Sequence, residues 1–433
     1  MSMLAYQKAL DYLHYLLPVY EQDGAAAITA DLTTIRELCY RLGLPQWKFN
    51  SIHVGGTNGK GSVGAMLASI LKEAGIKTGL FSSPYLREFT EQIRVNGKEI
   101  SKKEVVTFVS QHKETIEALR PSFFELTVAL AFWHFARSQV ELAVIEVGLG
   151  GQTDATNIIS PEVSVITNVS HDHQQLLGES LGEIAIQKAG IMKKFTPVIV
   201  GERQAATSEV FEQQAASLQA PLRFASERVE VQRLEYDWCH QRFEVSGQLN
   251  EVLHGSYMLG LAGKYQAQNL ACCLCTLEQL LEDGWDIPLK AIKKGLKRVR
   301  ENTGITGRMH IIHEQPLTLC DTAHNVAGVQ AVMAQLEDIP YQKLHVVWGM
   351  GAEKDHQAII AQLPKDARYY FVQANAGQAL KAEALYQLAT AAGLQGQLCA
   401  SVQAALEQAR RTAATDDLIL VGGSNYVVAE ALG

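Results

Sequence analysis

Short apolar runs rich in branched residues alternate along the chain with longer stretches in which apolar positions return at helical spacing. Residues 51–54, 78–81, 142–147 and 163–168 read as strands, and 63–73, 104–119, 127–137 and 181–192 as helices. Strands separated by helices pair in parallel, so the pattern predicts an α/β fold with its functional residues at the carboxyl ends of the strands. After Arg308 a second series begins: strands 309–312, 317–320 and 344–348, a helix over 326–336, and a last strand at 418–421. Between the series, 295–304 is polar, basic and bounded by Gly295 and Gly304. It reads as a linker between a domain of residues 1–300, with a mostly parallel sheet flanked by helices like a P-loop ATPase, and a smaller Rossmann-like domain of residues 301–433. Residues 222–257 alternate polar with apolar and are predicted to form an antiparallel meander added to the first domain.

Composition narrows the class. The chain has 433 residues, 47% hydrophobic and 19% charged, a soluble profile too long for one core. Lysine plus arginine total 38 against 46 aspartate plus glutamate, a formal charge of -8. That argues against a nucleic-acid partner, while leaving room for a basic pocket around one phosphorylated ligand. Met1-Ser2-Met3-Leu4 lacks a basic segment and soon meets Asp11, so no export signal is read there. The longest apolar run, 126–136, is about half of the roughly 20 residues a membrane span requires and reads as a core helix. The seven cysteines are too scattered for a disulfide framework, and a reducing cytoplasm is the expected compartment. Cys272, Cys273 and Cys275 share a helical stretch with no second cluster, and read as buried small residues rather than metal ligands.

The clearest chemical signal follows strand 51–54. Gly55-Gly56-Thr57-Asn58-Gly59-Lys60-Gly61-Ser62 runs directly into a helix, the context in which backbone N–H groups and a helix N-terminus cradle phosphate. Its glycines let the backbone wrap an anion, and Lys60 is placed for the β- and γ-phosphates. The general phosphate-loop pattern is broken, because Val54 stands where its first glycine belongs and Gly61 where serine or threonine follows the lysine. A plain glycine-rich turn is the alternative; a dinucleotide fingerprint fits less well, since Lys60 would crowd the pyrophosphate.

Strand 142–147 is apolar until Glu146, which is placed to hold Mg²⁺ directly or through water. The next strand delivers Ser170-His171-Asp172-His173 to the same edge, although a histidine such as His173, taken alone, is more often a satisfied surface residue than a ligand. Lys188, within helix 181–192, reads from composition alone as a solvated helix lysine.

Taken together, these segments closely resemble the Mur ligase superfamily, and within it the folylpolyglutamate synthases that in many bacteria are also dihydrofolate synthases. The resemblance runs through Gly56-Thr57-Asn58-Gly59-Lys60-Gly61-Ser62, Ser83-Pro84, Phe124-Glu125-Leu126-Thr127, Glu146-Val147-Gly148-Leu149-Gly150-Gly151, Asp154-Ala155-Thr156-Asn157, Asp172-His173 and Lys188-Ala189-Gly190-Ile191. It continues in Gly307-Arg308, Asp321-Thr322-Ala323-His324-Asn325, Lys354-Asp355 and Gly423-Ser424. The Gly61-Ser62 ending that broke the general pattern is the folate branch's own form. Gln92, Gln152, Thr153, Val326 and Glu353 depart from the commoner family residues.

The resemblance implies that Thr57, Asn58, Gly59, Lys60, Gly61 and Ser62 bind the ATP phosphates, and that Gln266 and Asn269 approach the base. It implies that Ser83, Glu146 and His173 ligate Mg²⁺ at two sites, and that Lys188 is carbamylated, overturning the composition-only reading. Lys60, Lys188 and His173 would then be catalytic, with a monovalent cation as a further cofactor. Arg308 and Asp321 would close over the nucleotide, His324 and Ser424 would help hold glutamate, and Phe124 and Asp154 would meet the pterin. The implied substrates are ATP, L-glutamate, dihydropteroate and tetrahydrofolate, joined by a monomer through an acyl phosphate, with closure about a 295–307 linker. The competing readings are folylpolyglutamate synthesis alone, a Mur-type ligase acting on a nucleotide-sugar peptide or cyanophycin-like carrier, and a nucleotide-binding regulator without ligase chemistry.

Overall fold

The protein is described by a computed structural model covering residues 3–18, 31–237 and 239–433. Met1 and Ser2, which bear on the export reading, and Trp238 in the meander lie outside the described residues. The first sheet contains β1 (Asn50–Gly55), β2 (Thr78–Phe81), β3 (Ile93–Val95), β4 (Lys98–Glu99), β5 (Leu142–Glu146), β6 (Val163–Ile166), β7 (Val198–Val200) and β8 (Leu222–Phe224). Their order is β4-β3-β2-β5-β1-β6-β7-β8. Pairing is parallel from β2 to β8, and β3 and β4 add an antiparallel edge. The inner strands β1, β5 and β6 are wholly buried but for Asn50, because helices cover both faces and leave no polar side. The apolar run at 126–136 lies in the buried helix Phe123–Arg137, opened by a capping box between Ser122 and Glu125. Among the described residues, no helix is long and apolar enough to cross a membrane.

The meander is β9 (Val229–Tyr236), β10 (Gln241–Gly247) and β11 (Gly255–Leu259), paired antiparallel as expected. Its expected start at residue 222 is corrected: β8 is apolar enough to extend the main sheet, and the meander begins at Val229. The helix expected over 104–119 divides at His112 into Lys102–Gln111 and Lys113–Leu119.

The second sheet comprises β12 (His310–Glu314), β13 (Leu317–Cys320), β14 (Leu344–Trp348), β15 (Arg368–Phe371), β16 (Gln395–Leu398) and β17 (Leu418–Gly422), in the order β12-β13-β17-β14-β15-β16. It is parallel except for the β12–β13 hairpin.

The linker expected at 295–304 is not a free connection. Helices Leu289–Lys297 and Val299–Thr303 occupy it and pack on the first domain's helix Lys60–Glu73. Ser69 Oγ donates to the Gly295 carbonyl at 2.7 Å, and Glu73 accepts from Lys294, Arg298 and Asn302. A methyl at Gly295 would lie 2.5 Å from the Ile70 Cα, so only glycine permits this approach. The segment's charge reflects one exposed helix face, which the basic composition alone could not distinguish from a solvated linker.

Candidate active site

The strand order reverses beside β1, and there the carboxyl ends of β1, β5 and β6 open a crevice. β1 ends in the glycine loop, with Gly56 and Gly59 at φ 131° and 89°. A β-carbon on Gly56 would strike the Thr167 hydroxyl, and one on Gly59 the Asn269 amide oxygen. The loop is pinned from β6: Thr57 N donates to the Asn168 carbonyl, Asn58 N to Asn168 Oδ1, and Thr167 Oγ1 to the Asn58 carbonyl at 2.6 Å. Lys60 opens the following helix and folds back onto the carbonyls of Gly56 and Thr57, at 3.2 Å each. A curled loop with a lysine across its mouth is arranged to receive an anion.

Beside the loop, Glu146 ends β5 among buried strands. Burial pushes its carboxyl up to about 7 despite the opposing charges of Lys60 and Arg308 and the Ser83 backbone hydrogen bond. Its oxygens lie beside Gly61, where a β-carbon would be in ordinary contact with Arg308 Nη2 at 3.5 Å and with Glu146 Oε2 at 3.6 Å. His173 adopts φ 50°, and burial holds its imidazole down at about 4, so it is neutral and able to donate a lone pair. Lys188 is 3% exposed, which corrects its reading as a solvated lysine. Burial first, then Lys60, lowers its amine to about 7.

These residues line one cavity of about 770 Å³, together with Thr57, Asn58, Gly59, Lys60, Gly61, Ser62, Ser83, Phe124, Asp154, Asn269, Arg308, Asp321, His324 and Ser424. Gln266 is not on the wall; it is buried behind Ser62 and Asn269, accepting from Asn269 Nδ2 at 2.8 Å. Asp321 accepts from Tyr265 Oη and Met309 N at 2.8 and 2.9 Å, which fixes the second domain's first strand against the helix at Gln266–Glu282. Arg308 bonds the Thr322 hydroxyl and the Gly307 carbonyl. Ser424 caps helix Asn425–Leu432 through its hydroxyl. Asp154 accepts from Leu149 N, Thr156 N and the Thr156 hydroxyl, so both its oxygens already serve the protein.

Three residues of the motifs had been given no separate role. Asp172 accepts from Lys354 Nζ at 2.7 Å, from Asn325 Nδ2 at 3.0 Å, and lies 3.3 Å from His324 Nε2. Burial alone would raise the Asp172 carboxyl, but the His324 hydrogen bond and the charges around it hold it well below the usual carboxylate range. Asn325 also exchanges amide hydrogen bonds with Asn58 of the glycine loop. The adjacency of Asp172 to His173 was legible; that Lys354 and Asn325 reach it from the other domain was not.

Among the described residues, Asp172, His173 and His324 form the one histidine–carboxylate cluster close enough to hold a metal ion together. Lys354 is already on Asp172, however, and lies 3.4 Å from His173 Nε2, so that spot is cationic. The buried carboxylate of Glu146, the neutral His173 and Ser83 on the same wall fit a hard divalent cation better, since among the described residues Glu146 is in no ion pair within 4 Å and Lys60 and Arg308 only partly offset its burial.

Two lobes facing each other across a phosphate loop, a buried carboxylate and a buried lysine define a class, and the comparisons agree with it. The chain belongs to the Mur ligase family: residues 54–277 match the Mur ligase middle domain, and residues 307–425 match the Mur ligase, glutamate ligase domain. Within that family it is similar to dihydrofolate synthase/folylpolyglutamate synthase from Bacillus subtilis, 33% identical over 83% of this chain and 83% of that protein. It is 32% identical over 99% of its length to a probable bifunctional folylpolyglutamate synthase/dihydropteroate synthase of Haloferax volcanii, of which it spans 50%. Escherichia coli FolC in complex with DHPP and ADP superposes with a TM-score of 0.85 at 28% identity, covering 98% of this chain and 96% of that one. A bifunctional folylpolyglutamate synthase/dihydrofolate synthase with Mn, AMPPNP and L-glutamate bound gives 0.82 at 26%, covering 99% and 97%.

Proposed function

We propose that the protein is an ATP-dependent ligase that joins L-glutamate to dihydropteroate, forming dihydrofolate, and to tetrahydrofolate, forming folylpolyglutamates. The observation that carries this reading is the single cavity in which the glycine loop, Glu146, Lys188 and Phe124 of one domain face Arg308, His324 and Lys354 of the other. A nucleotide binder without chemistry has no use for a buried carboxylate and a buried amine beside the phosphate loop.

The acceptor carboxylate attacks the γ-phosphate, giving an acyl phosphate and ADP; the glutamate amine then attacks the acyl carbon, and phosphate leaves. The glycine loop and Lys60 hold the phosphates, and Arg308 reaches the same anion from the second domain. Mg²⁺ at two sites held by Ser83, Glu146 and His173 would neutralise phosphoryl charge. Asp172 fixes Lys354 and His324 where they meet the incoming glutamate. Lys188, its amine lowered to about 7 by burial, would attack CO₂ in its neutral form and release a proton to solvent, becoming a carbamate, a bidentate anion in place of a cation. A monovalent cation completes the proposed cofactors. The domains divide near residue 300 and close about 304–309, since 289–303 is bound to the first domain. A monomer in the cytoplasm that binds no nucleic acid completes the reading; the charge of -8 argues against a nucleic-acid partner and the free cysteines suit a reducing compartment.

Phosphate release measured with dihydropteroate, tetrahydrofolate and a muramyl nucleotide, each with and without L-glutamate, tests this. Glutamate-dependent release with both pterin acids is expected. Release with one of them reduces the claim to a single synthase, and release with the muramyl nucleotide alone overturns it.

A further inference from the structure

A polar chain runs behind the cavity wall, from the middle of the sheet to the loop that follows Glu146. His53 sits on β1 with 0% exposure, among residues that are otherwise apolar or small. Its Nε2 lies 2.8 Å from Thr156 Oγ1. Thr156 has one hydroxyl proton and gives it to Asp154 Oδ1 in a very short contact, so toward the imidazole the hydroxyl can only accept. Nε2 therefore carries the ring proton, and Nδ1 is left without a partner in the interior. Burial, and secondarily Lys193, keep this ring neutral by pulling it down to about 3.

The far end of the chain is the cavity wall. Asp154 Oδ2 accepts from Leu149 N at 2.8 Å, and its backbone N donates to the Gly151 carbonyl. Gly148 presses so close to the Phe124 ring that a β-carbon would meet it at 2.4 Å, and Phe124 lines the cavity. The segment from Gly148 to Gly151 thus has its shape set from behind by Asp154, whose Oδ1 is held jointly by the Thr156 hydroxyl and Thr156 N. An apolar residue on β1 would leave Asp154 alone to direct that hydroxyl and its lone pairs without a donor. A histidine with one idle nitrogen is a poor choice for packing and an apt one for holding a hydroxyl in a single direction.

We propose that His53 is a positioning residue for the acceptor acid: acting through Thr156 and Asp154, it fixes the loop from Gly148 to Gly151 that forms the wall against which the aromatic part of the acceptor rests. The inference deepens the ligase reading above and rests on it for the identity of the acceptor.

The test uses the full-length enzyme and the variants His53→Leu, Thr156→Val and Thr156→Ser. His53→Leu and Thr156→Val should each raise the KM for dihydropteroate or tetrahydrofolate about tenfold, with kcat and the KM for ATP within about twofold of wild type. Thr156→Ser, which keeps the hydroxyl, should restore wild-type KM, and the double variant His53→Leu/Thr156→Val should be no worse than either single one. Lower melting temperature with unchanged acceptor KM would mean a purely structural histidine and overturns the proposal, as would additive effects in the double variant. If His53→Leu does not fold, the Thr156 pair decides alone. Amide exchange at Leu149 needs no substrate: it should accelerate about tenfold in both relay-breaking variants while amides of β1 and β5 keep their protection, and unchanged exchange sinks the relay. Failure of wild-type turnover with every pterin acid would refute the ligase reading instead, a result separable from the exchange measurement.

Discussion

Lys188 and Glu146 carry opposite charges in water, yet burial drives both toward neutrality. Lysine prefers its uncharged form when desolvated, and glutamate prefers its proton, so each is ready for a partner that restores charge balance. Lys188→Ala should abolish turnover while leaving circular dichroism and melting temperature near wild type; wild-type rates in that variant would remove the carbamate from the mechanism. Glu146 gives a pH prediction. Its folded value of about 7 lies above the unfolded 4.5, so the apo fold binds the extra proton, and the stability this contributes is lost as pH rises from about 4.5 through 7. A divalent cation, which needs the ionised form, should therefore raise the melting temperature more at pH 8 than at pH 6. A metal-induced shift independent of pH would argue that Glu146 is not a ligand.

The glycine loop shows how an element is specified by what approaches it. Gly59 has φ 89°, and its missing side chain makes room for Asn269 Oδ1, which a β-carbon would meet at 2.2 Å. Gly59→Ala should raise the KM for ATP by at least about tenfold, roughly 1.4 kcal/mol of lost binding, with little change in acceptor KM; a fluorescent nucleotide titration would show it directly. The helix Phe123–Arg137 is legible from its apolar run, but its Ser122–Glu125 box starts it four residues before the expected 127, and Ser122→Ala should cost about 1 kcal/mol in denaturant unfolding. The segment 295–304, expected as a linker but folded as two helix pieces, shows the converse. Lys294 and Arg298 look solvated in sequence, but both reach Glu73 on a helix more than two hundred residues away.

At the scale of the whole molecule, the second domain's helix Val326–Leu336 is held by the first domain at both ends. Asn325 at its start bonds Asn58 and Asp172, and beyond its end Asp338 pairs with Arg233 of the meander and with Lys264. The outer pair is partly exposed, so its contribution to stability is modest, about 1 kcal/mol or less. Its effect should appear in closure: Asp338→Ala should raise the low-salt KM for glutamate and flatten its dependence on ionic strength, and an unchanged salt response would show that the contact plays no part. The glycine loop, strand-end Glu146, the two α/β series and the paired Asp172-His173 were readable in the chain, because local backbone geometry and hydrophobic period need only neighbouring residues. The lowered Lys188 amine, the neutral His173, the relay behind Asp154 and the convergence of Lys354, His324 and Asn325 on Asp172 were decided by tertiary structure alone. Burial and charge proximity are properties of space, and residues separated by 182 positions acquire them only when the two domains meet.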